Sequence, residues 1–212
     1  MEKPKGNELI DEVLRSADLS DRAWMFLNKY KKQIIIWTTA CCVVLATLGF
    51  SVVIYNSEIE AMQNAFTKLE TDEQKLAFAK KYKSKQLGGI VFMELADRAY
   101  RAGDFETAAG MYNDARVSLG KSIPGGRAEI GYSMALLRAG KTDLAKQSLL
   151  KLSQESSMPQ GAKAEALMLL ARLFCSHNDR KNANAVIEQV ASGNFSKNWK
   201  TRAKDLRREM EI

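Results

Sequence analysis

Residue types able to do chemistry are sparse in this chain and do not converge. Its 212 residues include one histidine, His177, and three cysteines, Cys41, Cys42 and Cys175. One imidazole excludes any site that needs two. Adjacent cysteines without a C-x-x-C spacing argue against a thiolate zinc site and against a disulfide scaffold. His177 falls in a turn between two helical patterns, with no Ser or Cys nucleophile pattern around it. Gly88-Gly89 and Gly125-Gly126 read as helix breaks and not as a phosphate-cradling loop. Glu58 and Glu60 are ordinary solvated carboxylates. No catalytic constellation emerges, so no enzyme activity, cofactor or metal is expected.

What remains is the chemistry of contact. Three helical runs each carry a face with apolar, methionine and arginine residues at helical spacing. The first holds Ile90, Met93, Asp97, Tyr100 and Arg101. The second holds Arg127, Ile130, Met134, Leu137 and Arg138. The third holds Met168 and Arg172, flanked by Glu165, Cys175 and Ser176. Methionine is flexible and polarizable, which suits a surface that accepts varied apolar segments. The arginines are placed to grip backbone carbonyls or acidic groups at the rim. The competing reading is that Met93, Met134 and Met168 fill core between repeats or pack under a final helix, and both readings stand on sequence alone.

These residues need elements to position them, and one run decides the architecture. From Ile34 to Tyr55 there are 22 residues without a charge. As a helix at 1.5 Å per residue they span about 33 Å, close to the ~30 Å hydrocarbon core of a bilayer. Trp37 and Tyr55 lie near its two ends, as in an interfacial aromatic belt. A cleaved signal peptide fits poorly, because 33 residues precede the run and no A-x-A site follows. Arg15, Arg22, Lys29, Lys31 and Lys32 flank its N-terminal side, against Lys68 and Lys75 on the other. The positive-inside rule then puts residues 1–33 in the cytosol and residues 56–212 across the membrane, in a bacterium the periplasm. Of the net charge of +7, residues 1–33 carry +1. The remaining charge is spread through the exported part, which makes nucleic acid a poor partner. Within the span Thr39, Cys42, Ala46 and Gly49 form a stripe of small residues, the kind of face on which helices pack in lipid. Cys41 and Cys42 are expected to be inert there, and Cys175 to be partly buried.

After the span the pattern is helix after helix, with three prolines in the whole chain. Aligned on Gly103, Gly140 and Asn178, at spacings of 37 and 38 residues, three copies agree in residue character. Eight residues earlier stand Leu95, Tyr132 and Leu170. Seven earlier stand the small residues Ala96, Ser133 and Ala171. Four earlier stand Ala99, Leu136 and Phe174. Ala108, Ala145 and Ala183 follow each turn by five, Tyr112, Leu149 and Ile187 by nine, and Ala115, Leu152 and Val190 by twelve. This is the physics of a helical hairpin: small residues at the crossing and large ones around it. Gly103, Gly140 and Asn178 suit φ > 0 at a helix end, and Asp104, Thr142 and Asp179 are candidate caps. Helices are further expected over 58–69 and 71–84, the second with a Thr71/Gln74 capping box. Pro124-Gly125-Gly126 reads as a turn. Ser196 is expected to cap a final helix that shields the last open interface.

LADRAYRAGDFETAAGMYNDA, residues 95–115, resembles a tetratricopeptide repeat, with the family's Leu-small…Gly-Asp-Tyr/Phe…Ala pattern. The order of parts resembles the ancillary SecYEG translocon subunit (YfgM-like) family. A short charged tail and the amphipathic stretch SDRAWMFLNKYKK run into the span, then a lead-in helix, repeats and a closing helix follow. The fold this implies is all-α: a single transmembrane helix followed by a TPR-like α-solenoid. The expected divisions are a cytosolic tail over 1–33, the span over 34–55, membrane-proximal helices over 56–88, repeats over 89–193 and a capping helix over 194–212. The resemblance implies a non-catalytic inner-membrane protein that works at a SecYEG-type translocon with a PpiD-type periplasmic chaperone. The alternative is a single-pass envelope scaffold or signal transducer whose cytosolic tail binds a regulator. For that reading NELIDEVLRSADL groups Leu9, Ile10, Val13 and Leu14 on one side. Replacing both Ala46 and Gly49 by Leu is predicted to weaken co-purification of a membrane partner while leaving insertion intact.

Overall fold

Nothing between Leu19 and Phe66 interrupts a helix. The stretch has no proline and one glycine, Gly49, and it forms a single 48-residue helix, α1 (Leu19–Phe66). The structure, a computed structural model, describes residues 19–211. The docking segment read over 7–19 therefore lies, except for Leu19, outside the described residues. The β-branched residues that crowd the middle of α1 are mediocre helix formers in water. In apolar surroundings the backbone must satisfy its own polar groups, and a helix does so. The hydroxyls follow the same rule. Thr38 donates to the Ile34 carbonyl at 2.8 Å, Thr39 to Ile35 at 2.7 Å and Ser51 to Thr47 at 2.8 Å. None of the apolar window is buried within the chain, and the helix is long and apolar enough to cross a membrane. The separate helix expected from residue 58 does not form. Residues 58–66 instead continue α1, because no cap or breaker stands between Tyr55 and Phe66.

The chain divides after Gln63 into two units. Beyond α1 the second unit contains α2 (Asp72–Lys81), α3 (Gln86–Arg101), α4 (Phe105–Leu119), α5 (Ile123–Arg138), α6 (Thr142–Gln154), α7 (Gln160–Ser176), α8 (Arg180–Ser192) and α9 (Lys197–Glu211). No strand occurs among the described residues. The Thr71/Gln74 capping box is present at the start of α2. Gly103, Gly140 and Asn178 have φ of 83°, 77° and 60°, the left-handed geometry that ends a helix and turns the chain back. Asp104 and Asp179 accept from the amides of Thr107 and Asn182 and cap α4 and α8. Thr142 is not a cap: Lys141 occupies that position without a side-chain bond, and Thr142 is the first helical residue. Lys200 donates its amide to the Ser196 carbonyl, the first helical bond of α9.

Two glycine pairs change role. Gly88 and Gly89 sit inside α3, and Pro124, Gly125 and Gly126 inside the first turn of α5, which Ser122 caps. Proline is tolerated in that turn because the early amides have no intrahelical acceptor. The glycines serve close approach. A Cβ on Gly88 would lie 2.2 Å from the Tyr82 carbonyl oxygen, and one on Gly125 1.9 Å from that of Gly120. The chain needs bare backbone there to fold one helix end against the next.

Each helix from α2 to α9 packs on its neighbour in sequence, and α3 also touches α5, α5 touches α7 and α7 touches α9. The crossings run over fully buried small residues: Ala96, Ala108, Ala115, Ala135, Ala145, Ala171 and Ala183. Ser133 takes the same place in α5 and pairs with the Ser148 hydroxyl at 2.9 Å. Leu149, Leu170 and Ile187 have no exposed surface and fill the space around the crossings. Ion pairs stitch the ends. Lys75 reaches Glu94 at 2.7 Å, and Arg98 binds both Glu94 and Asp72, tying α2 to α3. The Lys75 hydrogen bond holds the Glu94 carboxyl below its ordinary range. Arg116 meets Glu129 at 2.8 Å across α4 and α5.

Gly110 lies on the exposed side of α4 with nothing near its missing Cβ. Gly110→Ala is predicted to stabilise the second unit by about 0.5–1 kcal/mol through helix propensity. Gly125→Ala is predicted to destabilise it by about 1–3 kcal/mol through the backbone clash. Thermal unfolding of the detergent-solubilised chain checks both signs.

Candidate functional site

The first helices of the three hairpins, α3, α5 and α7, lie side by side. Their shared face is where the contact residues were expected, and the structure divides them into two groups. Ile90, Arg101, Arg127, Arg138 and Arg172 are exposed. Met93, Asp97, Tyr100, Met134 and Leu137 are half-buried, while Ile130 and Met168 are buried at 9% and 7% exposure. Met93, Tyr100 and Leu137 rest on the cluster formed by Ala96, Ala108, Tyr112 and Leu136. Met134 rests on the next cluster, with Ile130, Leu149 and Leu170. Met168 belongs to a third, closed over by Ala203 and Leu206 of α9.

The methionines thus do different jobs. Met93 and Met134 have one side on the core and one side open. Met168 is roofed by the last helix. Between α7 and α9 this roof leaves a cleft of about 480 Å3. Its apolar floor is Met168, Leu169, Trp199 and Leu206, and Glu165, Arg172, Arg202, Asp205 and Glu209 make a rim of both signs. Arg202 stacks on the Trp199 ring at 4.9 Å. Leu169, Arg202, Asp205 and Glu209 were not among the expected contact residues. Leu169 is on α7 one turn from Arg172, but Arg202, Asp205 and Glu209 come near Arg172 only because α9 returns over α7, which no spacing encodes.

Asp97 is engaged by its own hairpin. It accepts from the Tyr112 hydroxyl, and burial together with that bond pushes the Tyr112 phenol well above its ordinary range. The Tyr112 ring lies where a Cβ on Gly131 would be, 2.5 Å from it. Glycine at 131 therefore lets Tyr112 of α4 slide under α5 and aim at Asp97. Arg138 covers Phe105 at 5.2 Å, which leaves Arg101, Arg127 and Arg172 as the more open cations of the face.

His177 is exposed, with Nδ1 2.8 Å from the Leu173 carbonyl at the end of α7. Cys175 is half-buried and not disulfide-bonded. Among the described residues no group of three or more His, Cys, Asp or Glu is placed to hold a metal ion. In α1 the small-residue stripe is exposed along its length, and nothing lies within 4 Å of the Gly49 Cβ position. Thr39 uses its hydroxyl on its own helix, so the stripe offers shape and not hydrogen bonds. No family model, curated protein or solved structure matches the chain.

Met168→Glu is predicted to destabilise the second unit by about 1–3 kcal/mol, because it exchanges a buried apolar side chain under α9 for a carboxylate that must be desolvated, even with Arg172 and Arg202 on the same cleft. Arg127→Glu is predicted to stay within about 0.5 kcal/mol of the parent chain, and Arg172→Glu, which adds a carboxylate beside Glu165, Asp205 and Glu209, to cost about 0.5–1 kcal/mol. Denaturant titration of the three variants checks the contrast, and it identifies which substitutions can probe binding without disturbing the fold.

Proposed function

We propose that this chain is a membrane-anchored, non-catalytic protein-binding module. In this reading α1 crosses the bacterial inner membrane with residues 1–33 in the cytosol. The second unit is then a TPR-like α-solenoid in the periplasm, and the α3–α5–α7 face receives protein segments. The observation that carries the reading is the pairing of an apolar helix that buries none of its span with an array of hairpins whose first helices align. The excess of basic residues before Ile34 supports the orientation. The resemblance of residues 95–115 to a tetratricopeptide repeat, and the order of parts, support a place at a SecYEG-type translocon beside a PpiD-type membrane-anchored chaperone. Apolar segments of emerging chains would meet Ile90, Met93, Tyr100, Met134 and Leu137, and the guanidinium groups of Arg127 and Arg172 would hold their carbonyls.

A photo-crosslinking amino acid placed at Ile90, Arg127 or Arg172 in intact cells tests this. The expected result is capture of a translocon subunit or a membrane-anchored periplasmic chaperone, lost in Arg127→Glu plus Arg172→Glu. Capture restricted to cytosolic proteins, or equal capture from an outward position such as Gln154, would overturn it.

A further inference from the structure

The N-terminal end of α1 enters that reading only through the count of its basic residues, and its side chains have no assigned partner. It is basic, and it runs without a break into the apolar stretch. Its large apolar residues are as open as those of the apolar stretch: Trp24 is 67% exposed and Leu27 54%. Between residues 21 and 33 the sequence has four basic residues, Arg22, Lys29, Lys31 and Lys32, and one acidic residue, Asp21.

We infer that this end of α1 carries a binding site for one anionic glycerophospholipid, with the Lys31 ammonium on its phosphate. The inference rests on α1 crossing a bilayer. A shallow recess along one side of the helix is lined by Trp24, Leu27, Asn28, Lys31, Ile34 and Ile35. These residues share a side because they recur at i, i+3, i+4, i+7, i+10 and i+11. Along the axis they run in the order of a phospholipid's own parts. Ile34 and Ile35 lie at the membrane edge, where acyl chains begin. Lys31 follows one turn further out, about 4–6 Å along the axis, within the ~5–7 Å headgroup layer on each face of the bilayer. Asn28 adds an amide donor beyond it, and Trp24 and Leu27 close the outer end.

Charge selects the class of lipid. Lys32 lies about 100° round the helix from Lys31, beside the recess, and Lys29 lies on the far side, over the Tyr30 ring at 5.5 Å. A choline headgroup would bring its own cation into this cluster, and a glycerol headgroup would not. A second protein helix fits less well. Lys31 sits in the middle of the apolar recess, so a partner helix would need a carboxylate at headgroup depth opposite it, which a phosphate supplies without one.

The test uses the full chain in nanodiscs that contain phosphatidylcholine in excess over phosphatidylglycerol, followed by native mass spectrometry after mild extraction. The chain is expected to retain phosphatidylglycerol about fivefold above its bulk proportion, the ratio given by one basic residue at an anionic surface. Lys29→Gln, Lys31→Gln and Lys32→Gln together are expected to return that proportion to the bulk value. Lys197→Gln, Lys204→Gln and Arg208→Gln on α9 are expected to leave it unchanged. Equal enrichment in the first triple variant, or no enrichment in the parent chain once incorporated, overturns the site. So does a retained second copy of the chain in place of lipid. A chain that does not enter the nanodisc overturns the membrane reading itself, a different and separately visible result.

Discussion

Close approach of helix backbones is the constraint on which the second unit depends. Two helices pack tightly only where a small side chain keeps their axes near, and here those positions have no exposed surface at all: Ala96 and Ala108, Ala135 and Ala145, Ala171 and Ala183. The larger residues gain their burial from that geometry. Leu149, Leu170 and Ile187 are fully covered because the alanines beside them let the neighbouring helix come close. The same logic reaches the ends of the helices, where Gly88 and Gly125 admit a carbonyl that a single methyl group would exclude. Dispersion contacts are individually small and depend steeply on distance, so a lost half-ångström at a crossing is felt by every side chain around it.

This packing scheme also explains the character of the candidate face. A first helix touches its own partner, the helix just before it in the chain and the neighbouring first helix. The strip left over is narrow, and its apolar residues are half-covered and not free. Met93 and Met134 therefore contribute to the core and to the surface together. Such residues can adapt at low cost, since methionine has several rotamers of similar energy. Met168 stands in an equivalent place but has α9 above it, and the end of the array becomes a cleft with charged walls in place of an open strip. The proposed binding surface is thus graded along the array, from an exposed Ile90 at one end to a roofed Met168 at the other.

The long helix obeys a different constraint. Its middle is apolar on all sides, its hydroxyls bond back to its own carbonyls, and it buries none of its span within the chain. In water such a surface is driven to bury itself, so a helix apolar on all sides is either a core helix or a membrane span, and this one is not buried within the chain. Its charged end lies directly before the apolar stretch, and both features are consistent with the proposed anchoring role.

Much of this organisation was legible in the sequence, because it depends on local chemistry. The three turns at Gly103, Gly140 and Asn178, the caps at Asp104 and Asp179, and the small and large positions at fixed offsets all follow from what one residue type does in one backbone geometry. The apolar run was legible for the same reason. What tertiary structure alone decided concerns which surfaces meet. Gly88-Gly89 and Gly125-Gly126 look like breaks until the neighbours are seen pressing on them, a carbonyl on Gly88 and Gly125 and the side chains of Leu119 and Ala162 on Gly89 and Gly126. Residues 58–66 look like a new helix only if a stop is assumed after Tyr55. Met168 is indistinguishable in pattern from Met93, and it is buried because α9 folds back over α7. Periodicity tells which residues share a face, since that is set within one helix. Whether a face is covered is set between helices, by chain reversals many residues away, and no local preference encodes it.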